Sequence, residues 1–131
     1  MSVLIGLHIK RTLERDAGVT GVVGNRIFPV AMAQGVDTYP FICYDTNGGI
    51  GQRTKDGVLN DVSSVGMAVV AKRYEDALNL ANMVRKAFDG KRAKYDELEA
   101  ECVGLTYNDE YVENIDAFAV NMSLDFKTKD L

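Results

Sequence analysis

The sequence predicts an α+β fold: a mostly antiparallel sheet of four to five strands carrying two amphipathic helices, in the order α-β-β-β-α-β-β. Three patterns carry that expectation. Ile5, Ile9 and Leu13, with Leu4 and Leu7, recur at helical spacing near the start. Tyr74, Ala77, Leu78, Ala81, Val84 and Phe88 do the same in the middle. Towards the end, Phe118, Val120, Met122, Leu124 and Phe126 alternate with Ala119, Asn121, Ser123 and Asp125, as in a strand with one buried face. The 131 residues suit one domain, 1–131, large enough to bury a core without metals or disulfides.

Taken in order, Ser2 is placed to cap a first helix that runs to Asp16 and is stopped by Gly18. The connector "GVTGVVG" follows, then an extended run from Arg26 to Val30. Pro29 marks this run as an edge or a strand end, because proline cannot donate to a ladder. "AMAQGVDT" reads as a loop. Tyr39 to Tyr44 is aromatic, β-prone and apolar at both parities, hence a strand with little water on either side. The stretch 45–61, "DTNGGIGQRTKDGVLND", reads as a polar glycine-rich loop. Val62 to Ala71 resumes as a strand with Val65, Met67, Val69 and Ala71 on one face and Ser64, Gly66, Ala68 and Val70 opposite. Gly90 supplies the stop of the second helix, and Lys86 suits its dipole.

Leu98 to Tyr107 and Ala117 to Lys127 form a hairpin joined by the polar connection "NDEYVENID". In the first of these strands Leu98, Ala100 and Cys102 form one apolar set and Val103, Leu105 and Tyr107 the other. A bulge near Cys102 or Gly104 reconciles the two. Two helices cover one sheet face, so the nearly apolar second face of 39–44 and 62–71 is expected to meet another subunit in part.

Fifteen Lys and Arg against nineteen Asp and Glu give a net charge of −4, which argues against a general nucleic-acid or anionic-membrane binder. The first residues lack the basic segment of a secretory signal, and charges or glycines interrupt every apolar run before a membrane span is reached. A soluble cytoplasmic protein is the expectation. Cys43 and Cys102 lack CxxC spacing, and one histidine, His8, cannot complete a structural zinc site, so all three read as core residues without catalytic, metal or cofactor roles.

"GGIGQRTKDG" resembles a phosphate cradle only in its glycines. It has no terminal Gly-Lys-Ser/Thr and precedes a strand, where a helix N-terminus would be needed to meet the anion. Arg53, Lys55 and Asp56 keep this loop solvated, and its glycines make it costly to order alone, which makes the three residues candidates for an assembly loop that settles on a partner. Glu97, Glu99 and Glu101 project from one strand face in a stretch, Asp96 to Asp116, that has no Lys or Arg. They form a candidate acidic contact edge. Lys72, Arg73, Arg85, Lys86, Lys91, Arg92 and Lys94 concentrate positive charge just before it. This asymmetry is either ordinary solvated surface or a head-to-tail match between neighbouring subunits.

The order of elements, with "VGNRIFPV", "YPFICYD", the glycine-rich stretch, the helix "EDALNLANMVRKAFDG" and the last alternating strand, resembles the tail completion and tail terminator proteins of long-tailed phages and prophages. The most specific pieces are Val23 to Phe28 and Tyr39 to Ile42. The resemblance implies a non-enzymatic ring, commonly a hexamer, that caps the tail tube, ends its growth and prepares head–tail joining. Its partners would be itself, the tail tube protein and the head–tail connector protein, with no sequence-specific nucleic acid and no membrane. Its place would be the bacterial cytoplasm during assembly and the virion tail afterwards. A small cytosolic α+β enzyme or ligand-binding domain, dimeric in one version, is the rival reading, with its pocket under 45–61.

Overall fold

The structure is a computed structural model; it describes the backbone of residues 2–29, 38–54 and 57–131 and, outside 47–61, their side chains. The fold is α+β, and the described residues form three α-helices against a six-stranded mixed sheet. The strands are β1 (Ile27–Pro29), β2 (Phe41–Thr54), β3 (Gly57–Ala71), β4 (Arg92–Lys94), β5 (Leu98–Val112) and β6 (Ala117–Asp130). They lie in the order β1-β2-β3-β6-β5-β4. All neighbours are antiparallel except β1 and β2. The sheet thus has one more strand than the upper expectation, because β4 is three residues long, too short to announce itself by alternation.

Helix α1 (Ile5–Arg15) buries Ile5, His8, Ile9 and Leu13 as one stripe. Leu4 holds its N-cap position, and the Ser2 hydroxyl accepts from the Leu4 N–H at 3.1 Å. The Ser2 N–H in turn donates to the Ser63 hydroxyl at 3.1 Å, which ties the start of the chain to β3.

The expected connector after Asp16 is instead a second helix, α2 (Ala17–Val23), and Gly18 lies inside it. Asp16 both ends α1 and caps α2, its carboxylate accepting from the Val19 N–H at 3.0 Å. Two interior glycines cost this helix roughly 1 kcal/mol each relative to alanine. The cap and the complete burial of Val19 and Val23 offset that cost. Gly24, at φ +60°, ends α2 in a backbone region open chiefly to glycine.

Strand β1 lies at the sheet edge, in keeping with Pro29. The expected loop 31–38 falls outside the described residues except for Thr38. Helix α3 (Tyr74–Phe88) buries Ala77, Leu80, Ala81, Val84 and Phe88 against the sheet. Gly90, at φ +69°, follows it.

The expected bulge is present: the β5–β6 register shifts between Cys102 and Gly104, leaving Val103 as the extra, exposed residue. Beyond it β5 runs on to Val112, so the predicted connection "NDEYVENID" is mostly strand, and only a 3-10 turn at Glu113–Ile115 and Asp116 join β5 to β6. Asn, Asp and Glu are poor strand formers, but pairing along β6 and tilted ring contacts of Phe118 with Tyr74 and Tyr111 outweigh that preference.

One core lies between the helices and the sheet, built from Ile42, Val65, Val69, Leu98, Ala100, Val120, Leu124 and Phe126 under α1, α2 and α3. The second face has a smaller cluster at one end, where Phe41, Val70, Ala117 and Ala119 are buried against Phe28, Tyr39, Val112 and Ile115. Away from that end the second face is made of small or polar residues, among them Ser64, Gly66, Asn121 and Ser123. The apolar second face expected from composition is therefore confined to one end, where the chain covers much of it itself.

Candidate assembly surface

Within the stretch 45–61, the described residues 45–54 and 57–61 are strand where a loop was expected. Their backbone continues β2 and β3 as a paired ribbon, with Gly49 opposite Ser63, Gly51 opposite Asp61, Arg53 opposite Val58 and Thr54 opposite Gly57. Register shifts between Thr46 and Gly49 and between Gln52 and Arg53 accommodate the odd residues. Glycine weakens a strand by entropy but does not block its ladder, so composition alone misread the segment. Among the described residues β3 pairs with β6 only as far as Val62 opposite Lys127. Past that point the ribbon pairs with itself and leaves the sheet. Arg53 lies on its β2 arm, and Lys55 and Asp56 lie outside the described residues.

The residues of the expected acidic contact edge, Glu97, Glu99 and Glu101, have basic neighbours within the chain. Glu99 and Glu101 sit on β5 between β4 and β6. The register sets Arg92 and Lys94 opposite Glu101 and Glu99 on one side, and Lys127 and Lys129 opposite the same pair on the other. Arg92 also forms an ion pair with Glu99. Glu97 pairs with Arg11 at 2.5 Å, and the Arg11 guanidinium lies over the Tyr95 ring, 4.9 Å from its centre. Oppositely charged neighbours separated in sequence by strand returns neutralise these carboxylates within the chain, which a linear count of charge could not reveal.

His8 belongs to this same end of the molecule. It is buried, its Nδ1 shares a 2.9 Å hydrogen bond with the Tyr95 hydroxyl, and its ring meets Phe88 and Phe126 edge-on. Desolvation lowers its pKa from 6.5 to about 4, so it is neutral at pH 7. Cys43 and Cys102 are free thiols, both pushed up mainly by burial, the opposite of what a reactive thiolate requires. Among the described residues no group of three His, Cys, Asp or Glu comes together to hold a metal.

The other end is built differently. Between Gly104 and Asp125 the hairpin carries Asp109, Glu110, Glu113, Asp116 and Asp125 and no basic residue. Asp109 accepts from the Tyr74 hydroxyl at 2.5 Å, Asp116 from the Tyr111 hydroxyl, and Glu110 from the Asn121 amide at 3.1 Å. The carboxylate acceptors push the Tyr74 and Tyr111 hydroxyls above their ordinary pKa. Lys72 pins the turn by donating to the carbonyls of Ile115 and Asp116 at 2.6 and 3.1 Å.

Beside this hairpin an open groove of about 190 Å³ runs between α3 and β5, floored by Val120 and Met122 and walled by Leu78, Ala81, Leu105 and Tyr107. Tyr107 is 67% exposed. The sequence pattern places Tyr74 in a helix stripe and Tyr107 at a strand end, and leaves Tyr111 in the connection; continuing the alternation Leu105, Tyr107, Asp109, Tyr111 along one face brings Tyr111 onto β5.

A solved chain from the "Virion of native gene transfer agent (GTA) particle" superposes on this protein with a TM-score of 0.73, covering 94% of this chain and 92% of the other at 17% identity. The chain folds like a virion component. At that identity the likeness is one of fold, and it spans nearly the whole of both chains. No protein-family profile and no curated protein sequence matches the chain. No helix among the described residues is long and apolar enough to cross a membrane.

Proposed function

We propose that this protein is a structural component of a phage or prophage tail, a non-enzymatic subunit of a ring that caps the tail tube, ends its growth and prepares it for the head–tail connector. The observation that carries the reading is the end-to-end fold likeness to a chain of a virion particle. It joins the independent resemblance of Val23 to Phe28 and Tyr39 to Ile42 to tail completion proteins. A ribbon that leaves the sheet and an acidic, tyrosine-bearing hairpin that leaves its own groove open suit a protein whose surfaces are completed by neighbours. Excess negative charge also suits a ring through which DNA passes, since such a lumen does not retain phosphates.

Light scattering on the purified protein, paired with negative-stain images with and without tail tubes, tests the reading. Rings, commonly hexameric, are expected in solution or on tube ends, and tubes grown with the protein present should be capped at a defined length. A monomer that never binds tubes and leaves their length unchanged would end it.

A further inference from the structure

Among the described residues the sheet is left open along one side of the β5–β6 hairpin. Strand β4 pairs with β5 at Glu99, Ala100 and Glu101, and two flanking bonds run from the Tyr95 N–H to the Leu98 carbonyl at 2.7 Å and from the Cys102 N–H to the Lys91 carbonyl at 3.0 Å. From Gly104 to Val112, β5 has β6 on one side and, among the described residues, no strand on the other.

The direction of its free groups follows from the bulge. The bond from Cys102 to Lys91 turns the even-numbered residues of the first half toward β4. The extra residue Val103 then inverts the parity, because Gly104 now pairs with Asp125 where Cys102 paired with Phe126. Leu105, Tyr107, Asp109 and Tyr111 therefore present their N–H and C=O groups outward. Natural edge strands are usually short, bulged away or studded with lysine, and this one has no basic residue and keeps its regular ladder to the turn.

The same chain holds a strand of matching kind. Past Tyr44, on the opposite margin of the sheet, no strand among the described residues pairs with the outer side of Asp45–Thr54. An isolated two-stranded ribbon is marginal in water, so a ribbon that leaves its sheet gains most from a third strand. Directions agree as well. Three successive antiparallel pairings make β2 run opposite to β5, so a copy laid beside another without being turned over sets its β2 antiparallel to the open β5. Charge is compatible too: the arm from Asp45 to Thr54 carries one anion, Asp45, at the end nearer the core and one cation, Arg53, at the far end, whereas the receiving hairpin carries five carboxylates and no cation.

We propose that the open edge of β5, Leu105 to Tyr111, receives the β2 arm of the ribbon of a second copy of this chain as an added antiparallel strand. The contact is heterologous, since each copy offers β5 on one side and β2 on the other. Repeated around an axis it closes a ring. The inference deepens the ring reading by naming the joint between subunits.

The experiment follows association by light scattering and backbone amide exchange together, on the full chain over a concentration series and on tail tubes. On association the amides of Leu105, Tyr107, Asp109 and Tyr111 should slow together with those of the β2 arm. Asp109→Lys should weaken association by roughly tenfold or more, and adding Arg53→Glu should restore most of it. Tyr107→Pro removes one outward donor without touching the β6 ladder and should abolish association, while Tyr107→Ala should weaken it less. If the proline variant fails to fold, amide exchange in the unmodified protein decides.

Association with edge amides that exchange as fast as in the monomer overturns the proposal and leaves the ring reading standing. Protection of the edge by tube protein without self-association overturns it in favour of a strand from another chain. A protein that stays monomeric under every condition overturns it as well. Edge-paired oligomers that ignore tubes uphold the strand joint and sink the tube-capping function.

Discussion

In the first half of β5, Glu99 and Glu101 face Arg92 and Lys94 across one ladder and Lys127 and Lys129 across the other. In the second half, Asp109 and Glu110 meet a tyrosine hydroxyl and an asparagine amide. Behind the first half stand Phe88, Phe126 and His8, all buried; beside the second lies an open groove with Tyr107 exposed. The strand is continuous, and only one bulged residue separates the halves. Carboxylates that look alike in sequence thus serve internal cohesion in one place and remain available to a partner in the other. What differs is whether the returning chain brings a cation alongside.

The largest way to break this contrast is in the packing. Phe126, fully buried and in contact with Phe88 and His8, should lose about 3–5 kcal/mol of unfolding free energy on Phe126→Ala, measured by denaturant titration. Tyr107→Ala should change the monomer by less than about 0.5 kcal/mol, because its ring is mostly in water. Equal losses would mean that the second half is as firmly built as the first.

Next comes pH. His8 is neutral when folded with a pKa of about 4, whereas the unfolded chain titrates near 6.5. The unfolded state binds the proton first, so stability is intact above pH 6.5, falls as pH drops toward 4, and levels below it. The loss is roughly 3 kcal/mol from this group. Unfolding free energies between pH 7 and 4 should show that slope, and His8→Leu should remove it. A slope unchanged by the substitution would place the acid sensitivity elsewhere.

The smallest effect separates the charges themselves. Glu99→Gln breaks the ion pair with the largely exposed Arg92 and should cost about 0.5–1 kcal/mol in the monomer. Asp109→Asn should leave monomer stability within about 0.5 kcal/mol, with its consequence appearing in association. Thermal melts of both variants at low and high salt would check this, since only the first should show a salt-screened difference.

Patterns that depend on near neighbours were legible in the sequence. The stripes of α1 and α3, the alternation of β6 and the edge position of β1 follow from local spacing and from proline chemistry. So does the bulge, read from the parity slip between Cys102 and Leu105. Three misreadings share a cause. "GVTGVVG" became a helix, "DTNGGIGQRT" and "GVLND" the two arms of a ribbon and "NDEYVEN" largely a strand because caps and cross-strand partners supplied what local propensity withheld.

By itself, the sequence determined the class of fold, the composition of the core and the surplus of negative charge, because side-chain periodicity and composition are local properties that tertiary contacts do not alter. Tertiary structure decided which acidic residues have basic neighbours, which sheet margins stay unpaired among the described residues and where the tyrosines gather. Those outcomes depend on which distant strand lies alongside, and strand register is set by the packing of the whole sheet.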